Sequence, residues 1–406
     1  MNTASKQKVV LAFSGGLDTT YCLHDLVKNG YEVHSVFVNA GGISAQEIQS
    51  IEQRAKDLGA TKHHSFDIKA AIWNEFVTPL VWSHARMNSE YPLLCSDRYM
   101  IVKKCLQLCD ELATDVFAHG CTAMGNDQFR FDQTVKSIGN YKIIAPIRDL
   151  QSHVREVRDY EIAQLKAAGI EVGAQHKAYS INENMLGVTI SGGKIDEFQQ
   201  PDDSSYLWVK QRKDWPHEPL SIKIGFDKGI AISLNGGEMT GIEIINILNK
   251  QLGEYGIGRH IYTGDVSIGL KGRIVFECPA IDGLLTAHQA LQDSVNSKYQ
   301  NQFNHIIAAR WGELVYNGFF HDPHKADLEA YLASSQSHVT GVVTLYTEGG
   351  NLLATAIDSP WIVQDKESVY AQSCAWSPAD AIGFIKLAGQ STTLINKVRR
   401  SKNHAK

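Results

Sequence analysis

The most constraining stretch of the chain lies at residues 9–20. Five apolar residues, Val9-Val10-Leu11-Ala12-Phe13, run directly into Ser14-Gly15-Gly16-Leu17-Asp18-Thr19-Thr20, and residues 21–28 then read as a helix. A short, unbroken apolar run fits a strand buried on both faces of a sheet. Gly15 and Gly16 let the main chain turn tightly and approach a ligand with no Cβ in the way. The turn presents N–H groups and hydroxyls at a helix N-terminus, an anion site by geometry and by dipole. An aspartate there calls for a cation as well, and Mg2+ carried on bound phosphates meets that need. Glycine pairs also occur in plain strand-turn-helix joints, so the specificity lies in the whole strand-SGGxDTT-helix context. The loop matches neither GxxxxGK[ST] nor GxGxxG.

The pattern continues as alternating strands and helices. Residues 33–38 and 63–66 read as strands. Residues 45–58 read as a helix capped by Ser44 and closed by Gly59, and 70–86 and 97–112 as further helices. Strands at 116–118 and 142–145 precede a helix from a Ser152 cap through Ala168. This order predicts a parallel sheet with right-handed crossovers. Residues 181–219 look irregular, with Gly192-Gly193, Pro201, Pro216 and Pro219. A hairpin follows at 220–226 and 230–234, then helices at 241–252 and 283–314. Strands at 339–346 and 352–357 precede a last helix, 378–387, that leads into a basic tail. With 406 residues the chain exceeds one average core. The expectation is an α/β parallel-sheet nucleotide-binding domain over 1–172, then an α+β domain over 173–406 with a C-terminal helix.

Composition narrows the options. With 43% hydrophobic and 20% charged residues, wholesale disorder is excluded. A net charge of −5 argues against a broad nucleic-acid surface, and Lys397, Arg399, Arg400 and Lys402 read as a solvated tail. No apolar run approaches the roughly 20 residues that cross a bilayer. The polar start does not resemble a secretory signal. Seven cysteines without a CxxC pair read as reduced thiols of a cytoplasmic protein. Cys105 and Cys109 fit a buried helix face, and His119 a core histidine.

A second polar constellation spans residues 118–131, Ala-His-Gly-Cys-Thr-Ala-Met-Gly-Asn-Asp-Gln-Phe-Arg-Phe. It follows a short strand, so it lies at the carboxyl end of a parallel sheet, where ligands of open α/β sheets collect. Thr122, Asn126, Asp127 and Arg130 offer a hydroxyl, an amide, a carboxylate and a guanidinium, the groups that a zwitterionic ligand needs.

SGGLDTT resembles the PP-loop of ATP pyrophosphatases, which cleave ATP between the α- and β-phosphates. Together with HGxTxxGNDQxRF it resembles the argininosuccinate synthase family. Residues 178–186 (AYSINENML), 256–259 (GIGR) and 313–319 (ELVYNGF) agree, so the resemblance spans nearly the whole chain in order.

The resemblance implies a ligase that joins citrulline to aspartate through a citrullyl-AMP intermediate, with ATP and Mg2+, releasing AMP and pyrophosphate. It implies arginine biosynthesis and a homotetramer in which C-terminal helices take part; no nucleic acid or membrane is expected. By motif position, Ala12, Phe13, Ser14, Gly15, Gly16, Leu17, Asp18, Thr19, Thr20, Val38 and Gly120 would contact ATP. Thr122, Asn126 and Asp127 would hold aspartate. Tyr91, Ser96, Asp97, Asn126, Arg130, Ser180 and Thr189 would hold citrulline. Asp18, Asn126, Asp127 and Arg130 would carry the chemistry. No metal site held by protein alone is expected.

Several positions depart from the family's common pattern. Met124 stands for a Lys, Gly42 for a Gln, Gly264 for a citrulline-contacting Glu and Phe276 for a Tyr; the stretch around Pro92 and Asp97 is also altered. Losing a carboxylate that pairs an ammonium matters in a dry pocket. Either neighbours such as Tyr91, Asp97 or Asp265 take over, or the substrate is an N-acylated citrulline. A PP-loop alone would also suit a tRNA-modifying synthetase or a sensor that binds ATP without turning it over.

Overall fold

The computed structural model describes residues 6–171, 179–365, 367–370 and 372–403. The expected domain boundary at 172–173 and Ala178 of the AYSINENML segment lie outside them. The chain forms two compact units, Met1–Trp361 and Ile362–Lys406.

The first unit opens with β1 (Lys8–Ala12), α1 (Leu17–Lys28), β2 (Glu32–Asn39), α2 (Ala45–Asp57) and β3 (Lys62–Asp67). The short helices α3 (Lys69–Ile72) and α4 (Thr78–Ser83) flank a π-helical turn, and α5 (Asp97–Glu111) follows. Then come β4 (Val116–Ala118), α6 (Asn126–Ile138), β5 (Lys142–Ile144), α7 (Pro146–Leu150) and α8 (Val157–Ala167). The five strands pair in parallel in the order β3-β2-β1-β4-β5. The chain moves outward from β1 to β3, then returns to β4 on the other side of β1. The carboxyl ends of β1 and β4 therefore form the switch point where ligands bind.

The apolar run is explained by burial on both sides. Val9, Leu11 and Phe13 pack with Leu23, Leu26, Ile147 and Leu165 under α1, α7 and α8. Val10 and Ala12 join the opposite core with Met100, Cys105, Cys109 and Phe117. Alternate side chains of a strand point to opposite faces, so both must be apolar. Ser44 and Glu47 form a reciprocal capping box on α2, as the sequence suggests. Ser152 does not cap α8, which begins five residues later behind Glu156 with no side-chain cap.

The remainder of this unit carries two antiparallel sheets. β6 (Ser180–Asn184) and β7 (Gly187–Ser191) form a hairpin, followed by α9 (Gly193–Asp196). β8 (Leu220–Asp227), β9 (Ile230–Leu234), β10 (Gly237–Glu238) and α10 (Gly241–Glu254) lead to β11 (Arg259–Asp265) and β12 (Lys271–Glu277). α11 (Pro279–Val295), α12 (Lys298–Tyr316), α13 (Pro323–Ser335), β13 (Gly341–Thr347) and β14 (Leu353–Asp358) complete it. The sheet orders are β11-β12-β7-β6 and β10-β9-β8-β13-β14.

Two hairpins, β6–β7 and β11–β12, thus occupy sequence without a clear strand signal. The expected helix 283–314 is two helices. Asn296 is extended, and Ser297 opens α12 with a capping box to Gln300.

The second unit holds α14 (Pro378–Ala388), capped by Ser377 and Asp380, and α15 (Gln390–Asn403). Neither helix has a buried residue. No helix among the described residues is long and apolar enough to cross a membrane.

Candidate active site

A crevice of about 1960 Å³ opens at the switch point. Ala12 to Thr20, Val38, Tyr91, Asp97, Gly120, Thr122, Asn126, Asp127, Arg130, Ser180 and Thr189 all line it. Ser96 does not. It is fully buried in the turn before α5, where its hydroxyl donates to the Leu93 carbonyl at 2.7 Å. Its hydroxyl completes that turn, so the structure does not bring Ser96 to the crevice with the other expected citrulline residues.

The loop after β1 has the properties of a phosphate cradle. Gly15 has φ +76°, and a Cβ there would stand 3.0 Å from Ile51, so a glycine is needed. Gly16 caps α1 with no side chain, which leaves N–H groups of the first turn free for an anion. Ser14 and Thr19 hydroxyls lie 3.2 Å apart. Thr20 is buried with its hydroxyl oxygen unpartnered. Arg54 of α2 braces the turn by donating to the Gly15 carbonyl at 2.9 Å. Burial raises the Asp18 carboxyl, and the field of Arg158 only partly offsets it.

The second loop meets the first directly. A Cβ on Gly120 would lie 3.2 Å from Thr19 Cγ2 and 3.4 Å from Asp18 Cβ. His119 holds this approach. Its Nδ1 accepts the Cys121 N–H at 3.1 Å, so Nε2 carries the proton and donates to Asp132 at 2.9 Å. Asp132 also accepts from Arg148 at 2.8 Å. Burial works against this carboxylate, but the His119 and Arg148 hydrogen bonds outweigh it and hold Asp132 below the usual range. His119 is the core histidine that the sequence suggests, and it also shapes the loop.

The polar cluster on α6 is tied to distant segments. Arg130, 4% exposed, donates from Nε and Nη2 to the Tyr316 carbonyl at 3.1 and 2.9 Å and from Nη1 to Asp127 at 2.7 Å. Arg98 reaches Asp127 from the other side at 3.2 Å, binds both oxygens of Asp97, and donates to Asn182 at 2.9 Å. Burial alone would raise Asp127, but the two guanidinium groups hold it below the usual range. Asn126 donates to Tyr316 Oη at 3.2 Å and accepts the Ser267 N–H at 2.8 Å. α6, the end of α12 and the β11–β12 turn therefore converge on one amide.

Three of the divergent positions have local explanations. A Cβ on Gly42 would stand 2.8 Å from Glu183 Cγ, because this loop lies against the β6–β7 hairpin. A Cβ on Gly264 would collide with Tyr262 Oη, so the tyrosine takes the space of a side chain at 264. Phe276 is fully buried between Tyr91 and His260 and does not line the crevice.

Sequence reasoning missed Arg54, Arg98, Arg158, Lys166, Asn182, Tyr262 and Tyr316, all of which line the crevice. Arg158, Ile162, Leu165 and Lys166 follow i, i+4, i+7, i+8 spacing on α8, a signal that could have found two of them. Among the described residues, one group has metal-donor geometry, His260, Cys278 and Asp282, and Arg86 already neutralises that carboxylate at 2.9 Å.

A parallel sheet of this order, an SGGxD loop at its switch point and a polar crevice above it define an ATP-utilising synthetase of the PP-loop class. The chain belongs to the argininosuccinate synthase family. Residues 8–171 match the Arginosuccinate synthase N-terminal HUP domain, and residues 179–395 match the Arginosuccinate synthase C-terminal domain. It is 50% identical over 396 residues to the argininosuccinate synthase of Xanthomonas campestris, covering 98% of this chain and 100% of that relative. It is 36% identical to that of Methanocaldococcus jannaschii, over 97% and 99% of the two chains.

Proposed function

We propose that the protein condenses citrulline with aspartate, using ATP and forming argininosuccinate, AMP and pyrophosphate. One observation carries this reading: Gly120 packs on Thr19, which sets the Thr122–Arg130 cluster beside the phosphate loop. A nucleotide and two polar substrates then share one crevice.

The loop N–H groups and the Ser14, Thr19 and Thr20 hydroxyls hold the phosphates, with Val38 and Gly120 beside the nucleoside. Thr122, Asn126 and Asp127 receive aspartate. Tyr91, Asp97, Arg130, Ser180 and Thr189 receive citrulline, with Arg98 bracing Asp97 and Asp127. The ureido oxygen attacks the α-phosphorus and pyrophosphate leaves; the aspartate amine then displaces AMP. Holding the reactants in line supplies much of the rate, and the crevice shields the activated intermediate from water. No side chain need act as nucleophile. Mg2+ carried on the phosphates would supply one thing there, an offset for the charge on the leaving pyrophosphate.

The match to relatives named argininosuccinate synthase along the whole chain favours free citrulline over an N-acylated form, and over a tRNA-modifying reaction. The two family matches support a nucleotide-binding part to residue 172 and a synthetase part from 173. Ile382, Phe384, Ile385 and Leu387 of α14 are each at least 67% exposed. An apolar helix with no buried face supports assembly into a homotetramer. Seven free thiols support a reducing, cytoplasmic setting.

The test is product analysis. ATP, citrulline and aspartate together should yield AMP and pyrophosphate. Omitting aspartate should abolish AMP release, and ADP as the product would overturn the reading.

A further inference from the structure

Among the described residues, Glu161 is a titratable side chain next to the phosphate loop that the reaction leaves without a role. It sits on the inner side of α8, 1% exposed. Its Oε1 has no hydrogen-bond partner. α8 packs on α1, the helix that grows out of the loop, and the two share one apolar cluster with α7. From α1, Glu161 acts on Tyr21 and Cys22 and feels Asp18; from α8 itself it feels Arg158. α7 brings Ile147 and Leu150 to this cluster. Arg158 is exposed and makes no ion pair with the acid.

A buried carboxyl without a cation bonded to it stays uncharged if it can. Here the cost of ionising is compounded. A second carboxylate on α8 would lie within the field of Asp18, on the helix packed against the one that grows out of a loop built to take a polyanion. In an interior of low dielectric, that repulsion reaches the nucleotide.

We propose that Glu161 is a positioning residue for the nucleotide site, acting through Asp18. Uncharged, it adds no second negative charge to that of Asp18 behind the phosphate loop. Ionised, it repels both Asp18 and the phosphates, and the loop loses its hold on ATP. The proton involved is one per site, and ATP binding above neutral pH draws it back onto Glu161. This deepens the proposed function and rests on it for the identity of the nucleotide. Burial first, then the field of Asp18, push this carboxyl up to about 8 against the pull of Arg158, so the switch lies just above neutrality.

The experiment is calorimetric titration of the full chain with ATP and Mg2+ at pH 7 and pH 9. In wild type, ATP should bind about tenfold more weakly at pH 9, as expected for a group titrating midway. In Glu161→Gln, which keeps the shape without the charge, the affinity should change less than about twofold over that range. A parallel pH dependence in the two proteins overturns the proposal. Should Glu161→Gln fail to fold, wild type alone decides. Its binding heat at pH 8 in buffers of different ionisation enthalpy should show net proton uptake, and no uptake overturns the proposal. AMP release from citrulline and aspartate at pH 7.5 is scored separately. Normal pH-dependent ATP binding without AMP release would sink the proposed reaction and leave Glu161's role standing.

Discussion

Arg130 gives two of its guanidinium N–H groups to one main-chain oxygen, the carbonyl of Tyr316. This joins the first turns of α6 to the last turn of α12, and Asp127 takes a third N–H of the same group. A lysine cannot reproduce that fork. Arg130→Lys should therefore lower kcat/KM for citrulline and aspartate at least about 100-fold and cost about 3 kcal/mol of stability. The KM for ATP should stay within a few-fold. Steady-state kinetics with each substrate varied in turn check this, and an equal loss in the ATP term refutes it.

Gly120 offers a test of the contact between the two loops. In Gly120→Ala the new Cβ meets Thr19 Cγ2 at 3.2 Å, so the phosphate loop must shift by a few tenths of an ångström. ATP affinity should fall about tenfold with little change in thermal stability. Unaltered ATP binding would show that the loops do not depend on each other.

His119 holds the same loop from beneath. His119→Phe keeps the ring but strands the Cys121 N–H and one oxygen of Asp132. Each buried group left unpaired costs about 1–3 kcal/mol. The midpoint of thermal unfolding should drop by several degrees, and ATP affinity should fall with it. A variant as stable as wild type rules out this role.

Acid should weaken the fold before the carboxylates titrate. His288 is fully buried, bonded to His84 at 2.8 Å and to Gln336 at 3.0 Å. Burial pushes it down to about 3, and pushes His64 down to about 4. In the unfolded chain these rings take up protons near 6.5, so between the two values the unfolded state binds more protons and stability falls with falling pH. The fully buried His288 ring contributes a slope of up to about 1.4 kcal/mol per pH unit below about 6, and the half-exposed His64 ring less. Denaturant titrations at pH 7, 6 and 5 should show a shallower decline for His288→Gln than for wild type. Equal slopes would refute this.

The helices of the second unit can be tested through assembly. Phe384→Glu with Ile385→Glu places charges on a face that is 69–72% exposed in the single chain. Sedimentation should show wild type as a tetramer and the variant as smaller species. A monomeric wild type would dispose of the tetramer.

The parts that were legible in the sequence share a cause: a local signal decides them. Val9 to Phe13 read as a strand because both faces are buried, and Ser44 with Glu47 marks a helix start. β6 was not legible, because Ser180-Ile181-Asn182-Glu183-Asn184 is mostly exposed and polar; pairing with β7 makes it a strand. The break before α12 was not read: Ser297 and Gln300 carry its capping signal, but the apolar run on either side masked it. In the site, motif position found the loops. It could not find Arg98, and it reached Tyr316 in the ELVYNGF segment without a role, because their partners lie 84 and 186 residues away. Ser96 adjoins Asp97 but, unlike it, does not line the crevice.

The convergence of Asn126 and Arg130 on Tyr316 has a consequence for how the protein is made. A ribosome delivers the chain from its amino end, so the phosphate loop emerges early. The tyrosine that completes the amino-acid side follows Asn126 by 190 residues. Until it arrives, the Asn126 amide and the Arg130 guanidinium lack the partner that fixes them, so the polar half of the crevice is finished last.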